Sequence, residues 1–376
     1  MRVLVAMSGG VDSAVACALL ARQGHEVVGV TLHLADLSRV GLGVSRCCSL
    51  ADVENARAVC HKLGVPHYVL DMEGEFRREV LEFFVEGYLG GRTPSPCVRC
   101  NSRVKFGQLV KLAATFGADV VASGHYARVA LDEAGRPHLY RGLDREKDQS
   151  YFLFDLTPEQ LAKMRFPLGN MTKAEVRKLA TAWGLPNATK PDSQEVCFVP
   201  EGKRYVDVLR ALAPERLPGA GEIVDTAGRV LGRHPGFVRF TVGQRRGLGL
   251  ASGERLYVLK VDPVGNRVVV GPGDALYRQH VEVGEVNWLV PPAQRLEAHV
   301  QVRSRHQPQR AVLSVDGNQV RVAFFEPVLA PTPGQAAVFY AGDEVLGGGF
   351  ILRAWDGEKD PDSPRHMGDS GGCPGP

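Results

Sequence analysis

No apolar run in this 376-residue chain approaches the length of a membrane-spanning helix. Nothing at the amino terminus reads as a secretory signal, since Met1 leads straight into a short strand-like run; a cytoplasmic location with no membrane partner is expected. Nor is there a large charge of one sign. Lys and Arg number 45 against 42 Asp and Glu, a net charge of +3, so any nucleic-acid surface must come from local clustering. There is no long repeat. Cysteines are few, eight in all, and without an export signal they are expected as free thiols, open to catalysis or metal binding. Two common phosphate-binding fingerprints are also missing: G-x-x-x-x-G-K-[ST], with its lysine, and G-x-G-x-x-G.

What is present is a different phosphate cradle, Arg2–Ala18 (RVLVAMSGGVDSAVACA). Val3–Ala6 is a short apolar run of buried-strand length. Val11, Val15, Leu19 and Leu20 recur at helical spacing as far as Gly24. The loop Ser8–Ser13 therefore joins a strand end to a helix start, where backbone N–H groups, the helix dipole and two hydroxyls converge. S-G-G-x-D-S in this setting resembles the PP-loop of ATP pyrophosphatases, which split ATP between its α and β phosphates. Asp12 is out of place in an anion site, and a magnesium ion bridging it to the phosphates would account for it.

The length predicts two or three domains. Glu26–Leu34 and Pro66–Leu70 read as further strands, with helices from Ser49 (Asp52 three residues on, a capping box) and over 76–88. Asp119–Ala122 is another strand, ending in Ser123-Gly124-His125-Tyr126; residues 129–140 read as a hairpin. Thr172 and Glu175 box the start of a helix with apolar Val176, Leu179, Ala180 and Trp183. Such alternation means a parallel sheet covered on both faces, with ligands at the carboxyl ends of its strands. From about Tyr205 short β-branched runs take over, among them Phe237–Val242, as in one or two small β domains, the last a barrel. The expected fold is α/β, with domains at 1–204 (nucleotide-binding), 205–278 (β-rich), 279–355 (β-barrel) and a disordered tail, 356–376.

Cys97 and Cys100 form a C-x-x-C in what reads as a proline-bounded loop, and Cys197 follows Asp192–Glu195 in a second loop. A thiolate can attack, carry sulfur as a persulfide or bind metal. Two cysteines fall short of a closed structural zinc site, Cys47 and Cys48 read as structural, and Cys17 and Cys60 as core. Arg233, His234, Arg239, Arg245 and Arg246 form one basic cluster, and Arg303, Arg305, His306 and Arg310 another. With Arg99, Arg103 and Lys105 they could track a phosphate backbone.

SGGVDSAV, RTPSPCVRCNSRVKF, ASGHYARV, GLDREKDQSYFL, KPDSQEVCFV, FTVGQRRGLG, VRSRHQ and TPGQAAVFYAGDEVLGGGFI stand in the order seen in tRNA-specific 2-thiouridylases (the MnmA/TrmU family). The resemblance spans about residues 1–355. It implies an enzyme that replaces the C2 oxygen of the wobble uridine of tRNA with sulfur, AMP from ATP first making that oxygen a leaving group. Ala6, Met7, Ser8, Gly9, Gly10, Val11, Asp12, Ser13, Leu32 and Gly124 would hold ATP. Cys197 would receive a persulfide from a cysteine desulfurase or a relay protein, and Cys100 would work with it, the two ending as a disulfide to be reduced. Ser95, Pro96 and Cys97 would approach the target base. His125, Lys147, Asp148, Gln149, Arg303, Ser304 and Gln335 would contact tRNA, whose uridine must leave its stack. Many members carry Asp where this chain has Cys97. Three thiolates, Cys97, Cys100 and Cys197, are the ligand set of a [4Fe–4S] cluster with one iron open to sulfide, as in related thiolases. Two other classes are a PP-loop ligase adenylating a small substrate, against which the loop cysteines argue, and a non-catalytic RNA-binding β protein, against which the intact Ser8–Ser13 loop argues.

Overall fold

A computed structural model describes residues 1–35, 37, 41–42, 49–191, 196–251 and 253–357. Cys47, Cys48, Asp192–Glu195, Cys373 and most of the expected tail lie outside the described residues.

The first sheet begins with β1 (Arg2–Ala6) and β2 (Glu26–His33), joined by helix α1 (Val11–Arg22). Val3, Leu4 and Val5 are all fully buried, because helices cover both faces. Helix α2 (Leu50–Leu63) starts where the Ser49 hydroxyl accepts the Asp52 N–H at 3.1 Å, and it ends at left-handed Gly64. It leads into β3 (His67–Asp71). The chain then forms α3 (73–89) and α4 (96–113) and crosses back to β4 (Val120–Ser123) on the far side of β1. The parallel order is β3-β2-β1-β4-β7, with β7 the two-residue Met164–Arg165. β1 and β4 flank the point where the order reverses, so the loops after them diverge and leave a crevice.

Each of α3 and α4 contains a π-helical segment, Arg77–Leu81 and Cys100–Lys105. The Pro96–Arg99 turn that opens α4 is helical, so the C-x-x-C sits on a helix and not in the loop expected for it. Proline is tolerated there because a first-turn residue has no intrahelical N–H bond to lose.

The expected hairpin forms, as β5 (Ala127–Leu131) and β6 (Pro137–Arg141), but it does not lie on the first sheet. It extends the carboxyl-terminal one. Two further helices of this half, α5 (Pro158–Lys163) and α6 (Lys173–Ala182), each open with a capping box, Thr157/Gln160 and Thr172/Glu175.

After α7 (Tyr205–Leu212) comes a four-stranded sheet of β8 (Gly221–Val224), β9 (Val230–His234), β10 (Tyr257–Asp262) and β11 (Arg267–Gly271), in the order β10-β11-β8-β9. The strand expected over Phe237–Val242 is instead a 3-10 turn at Phe237–Arg239. Pro235 and Gly236, at φ 139°, break the extended path just before it. The last sheet comprises β12 (Tyr277–Trp288), β13 (Arg295–Gln301), β14 (Gln309–Asp316), β15 (Gln319–Leu329), β16 (Ala336–Ala341) and β17 (Glu344–Trp355). Pairing of β12 with β17 closes it into a six-stranded antiparallel barrel, which leaves no free edge among those strands. β6 adds onto β17 at Tyr140 opposite Glu344, and the Arg141 N–H donates to the Asp343 carbonyl at 2.8 Å. One apolar core runs through all three regions, from Leu4 through Val268 to Phe350.

Candidate active site

The Ser8–Ser13 loop lies at the carboxyl end of β1, against the end of β4. Gly9 sits at φ 70°, and a Cβ there would stand 2.3 Å from the Asp52 carbonyl oxygen. Gly124 is as tightly placed, its added Cβ falling 2.6 Å from the Ser13 nitrogen. These two positions admit only glycine. Gly10 caps α1 without a side-chain hydrogen bond, so the first amides of a twelve-residue helix are offered to a ligand. Within the loop the Ser13 hydroxyl accepts the Ser8 N–H at 3.2 Å and donates to the Gly10 carbonyl at 3.0 Å. Ala6, Met7, Val11 and Leu32 line the adjoining strand ends, and the Met7 N–H donates to Val30 at 2.8 Å.

Asp12 has a partner the sequence reading missed. Lys173 Nζ, from the first turn of α6, donates to both carboxylate oxygens at 2.7 and 2.8 Å, and the Tyr126 hydroxyl donates to Oδ1 at 2.8 Å. An ammonium group therefore balances the Asp12 carboxylate. A second lysine, Lys190, donates to the Gly9 carbonyl at 3.2 Å and pairs with Asp52, and Asn187 Nδ2 donates to the same carbonyl at 3.0 Å. The loop's missing lysine is thus supplied from 161 and 181 residues away in sequence. The signal that could have found Lys173 is its place just after the Thr172 cap, on a helix crossing α1.

His125, next to Gly124, feels the charge of Lys105, as Cys97 and Cys100 do. Its Nδ1 lies 2.9 Å from the Ser123 hydroxyl, and its ring packs at 5.3 Å on Phe106 and 6.1 Å on Phe166. Burial, with the charge of Lys105 adding to it, pushes its pKa down to about 3. It is a neutral donor or acceptor at physiological pH. Lys105 closes the π-helical segment that Cys100 opens.

The structure brings Cys97, Cys100 and Cys197 within electrostatic reach of one another, and none of them is in a disulfide. Burial pushes Cys97 up to about 11, with Cys197 raising it further and Lys105 opposing. Cys100 goes up to about 12, chiefly by burial, opposed by Lys105 and raised by both other cysteines. Cys197 is carried in by Phe198, which packs edge-on against Phe76 at 5.8 Å and Phe84 at 5.0 Å on α3. Among the described residues the three sulfurs do not close to within 4.8 Å of one another, as a single ion would require; His33, Asp71 and Glu73 do. Cys17 and Cys60 are fully buried core, as expected.

The candidate tRNA residues divide. Ser95 and Pro96 open α4 beside Cys97 and are buried. Gln335 Nε2 donates to the Thr93 carbonyl at 2.9 Å, which brings the barrel onto that same turn. Arg303 Nη2 donates to Thr332 Oγ1 at 2.7 Å and to the Val242 carbonyl at 3.2 Å, and burial lowers its pKa. Thr93, Val242, Arg303, Ser304, Arg305 and Gln335 wall a pocket of about 330 Å³ where the three regions meet. Lys147 and Gln149 flank Asp148. The Gln149 Oε1 accepts the Tyr126 N–H at 3.0 Å. Asp148, expected at the tRNA, is turned to partners within the chain. Its carboxylate is 4% exposed and accepts from Arg141, the Gly142 N–H and both polar groups of Ser150, so it shapes the turn from within. His234 is 2% exposed and Arg99 turns inward, so neither belongs to an outward basic track.

Bare helix amides at a switch point, backed by lysines from elsewhere, are how a PP-loop enzyme holds nucleotide phosphates, and this chain is of that class. Family models match it as a tRNA methyl transferase HUP domain over residues 1–201, a tRNA methyl transferase PRC-barrel domain over 207–272 and an aminomethyltransferase beta-barrel domain over 278–351. It is 51% identical over 358 residues to the tRNA-specific 2-thiouridylase MnmA of Geobacter metallireducens, covering 93% of this chain and 96% of that one. It is 50% identical to the protein of that name from Geotalea uraniireducens (94% and 95% covered) and 48% to that from Rickettsia massiliae (93% and 96%). The chain belongs to the tRNA-specific 2-thiouridylase family.

Proposed function

We propose that this protein is an ATP-dependent tRNA-uridine 2-sulfurtransferase. The carrying observation is that thiols from two segments about 100 residues apart lie within electrostatic reach of one another and of Lys105, whose charge also acts on His125 next to Gly124. In this reading the C2 oxygen of the wobble uridine attacks the α-phosphorus of ATP and pyrophosphate leaves. The α1 amides, Lys173 and Lys190 stabilise the phosphate charge, and any magnesium arrives with the ATP. A persulfide on Cys197, loaded by a cysteine desulfurase or relay protein, then attacks C2 and AMP departs. Cys100 attacks the Cys197 sulfur, which releases the 2-thiouridine and leaves a Cys100–Cys197 disulfide for an external thiol to reduce. Ser95, Pro96 and Cys97 border the base, and Lys147, Gln149, Arg303, Ser304 and Gln335 hold the tRNA directly or through the turns they brace.

A second reading of the sulfur step is favoured by one observation: Cys97 lies within electrostatic reach of the other two thiols, and a two-thiol relay needs no third thiol. Cys97, Cys100 and Cys197 would hold a [4Fe–4S] cluster, whose separations exceed those of a single ion; when bound it would supply an open iron that activates sulfide.

Reconstitution with tRNA, ATP, cysteine and a desulfurase tests the function. Cys197→Ser should abolish 2-thiouridine while tRNA-dependent pyrophosphate release survives; loss of both would put Cys197 in the wrong role. Stoichiometric iron after anaerobic purification, with activity lost on chelation, would overturn the relay.

A further inference from the structure

Arg99 lies between Cys97 and Cys100, yet its side chain is only 14% exposed. Its guanidinium carbon stands 5.2 Å from the Phe83 ring on α3 and 4.9 Å from the Phe350 ring on β17. One end of the fork lies 3.9 Å from the buried Asp155 carboxylate, and the other donates to Glu285 of β12. Asp155 also accepts from the Ser102 hydroxyl at 2.6 Å. Cys100 is thus bracketed by two residues, Arg99 and Ser102, that converge on one carboxylate.

The barrel side is built to meet this. Glu285 is a non-glycine residue at φ 50°, at a slip in the β12–β17 register between Gly284 and Asn287. Backbone strain of that kind persists where surrounding contacts over-determine it. Asn287, two residues on, donates Nδ2 to the Phe154 carbonyl at 2.7 Å and the Leu156 carbonyl at 2.9 Å, on either side of Asp155. A single bulge of the barrel therefore grips both Arg99 and the segment that carries its second partner. A flat fork that stacks on two rings while reaching two carboxylates is a task for arginine that lysine does not perform.

We propose that Arg99 is a positioning residue that keys the Cys97/Cys100 helix to the barrel, so that the seating of the barrel sets where the thiols stand. The charges that act on those thiols are Lys105 and the neighbouring cysteines, which leaves Arg99 the geometric part.

The first test does not depend on the reaction. Iodoacetamide alkylation of the full-length protein is followed at each cysteine by mass spectrometry. Arg99→Met should speed alkylation of Cys97 and Cys100 roughly tenfold, the factor expected for one ion pair plus its stacking, and Glu285→Gln, which keeps the stacking, should speed it less. Arg99→Lys should fall between, and the double variant should be no faster than Arg99→Met. Unchanged rates, or equal acceleration at Cys17 and Cys60, would overturn the clamp. The second test rests on the thiolation reading: in Arg99→Met the yield of 2-thiouridine per pyrophosphate should drop about tenfold, the same factor carried to the sulfur step, with pyrophosphate release retained. Proportional loss of both would make Arg99 merely structural. A wild-type enzyme forming no 2-thiouridine would sink the thiolation reading and leave alkylation to decide the clamp.

Discussion

Asp12 and Lys173 meet with both carboxylate oxygens taken, and this sets what each can do when a polyphosphate arrives. With the carboxylate neutralised, the α1 amides keep their positive end for the ligand. Lys173→Met would leave Asp12 facing the phosphates uncompensated. Pyrophosphate release should fall by roughly two to three orders of magnitude, as for loss of a preorganised charge partner, with tRNA retention on filters unchanged. The thiols make a second residue-scale prediction. Cys97 and Cys100 have pKa values raised to about 11 and about 12 from 9.0, so both are neutral at pH 7. Alkylation in the free enzyme should climb with pH and show no plateau below about 11. Between pH 9 and 11 the unfolded chain has lost these protons while the folded one keeps them. The stability from burying neutral thiols is therefore complete below pH 9 and drains away as pH rises through that window, measurable as a falling melting temperature.

At the scale of elements, the nucleotide loop was readable because everything that makes it is local: an apolar strand, two glycines and a helix start within seventeen residues. Gly9→Ala should cost about 1–3 kcal/mol, from left-handed backbone and the clash with Asp52; thermal melting checks it, and a drop no larger than that of a surface Gly→Ala control would refute the tight fit. The helix beneath the C-x-x-C was less readable. Two prolines and two cysteines in seven residues look like a loop, and the π-helical Cys100–Lys105 lies where α4 packs on α3. Lys173 and Lys190 were invisible for a related reason: no local pattern marks a side chain whose partner lies more than a hundred residues away. Val230–His234 carries no strand signal, because VLGRH shows no alternation; its place beside β8 is fixed by the sheet.

For the whole molecule, small polar joints supplement the apolar core that the regions share. Asp343 at the tip of the β16–β17 turn takes Arg128 and Arg145 from the first region at 2.8 and 2.5 Å. Asp343 is 44% exposed, so Asp343→Ala should shift stability by no more than about 1 kcal/mol. It should nevertheless speed proteolytic nicking of the Asp132–Arg136 turn, because the hairpin's grip on the barrel weakens; unaltered nicking would show that the β6–β17 backbone pairing alone suffices.

That pairing bears on how the chain can be cut and recombined. Residues 127–141 come from the nucleotide-binding half but continue the sheet of the barrel. A chimera that exchanges barrels at residue 278 would leave the recipient's hairpin facing a foreign β17. Exchanges that move the hairpin together with the barrel are the ones expected to give soluble hybrids, so the workable seam for grafting is discontinuous in sequence.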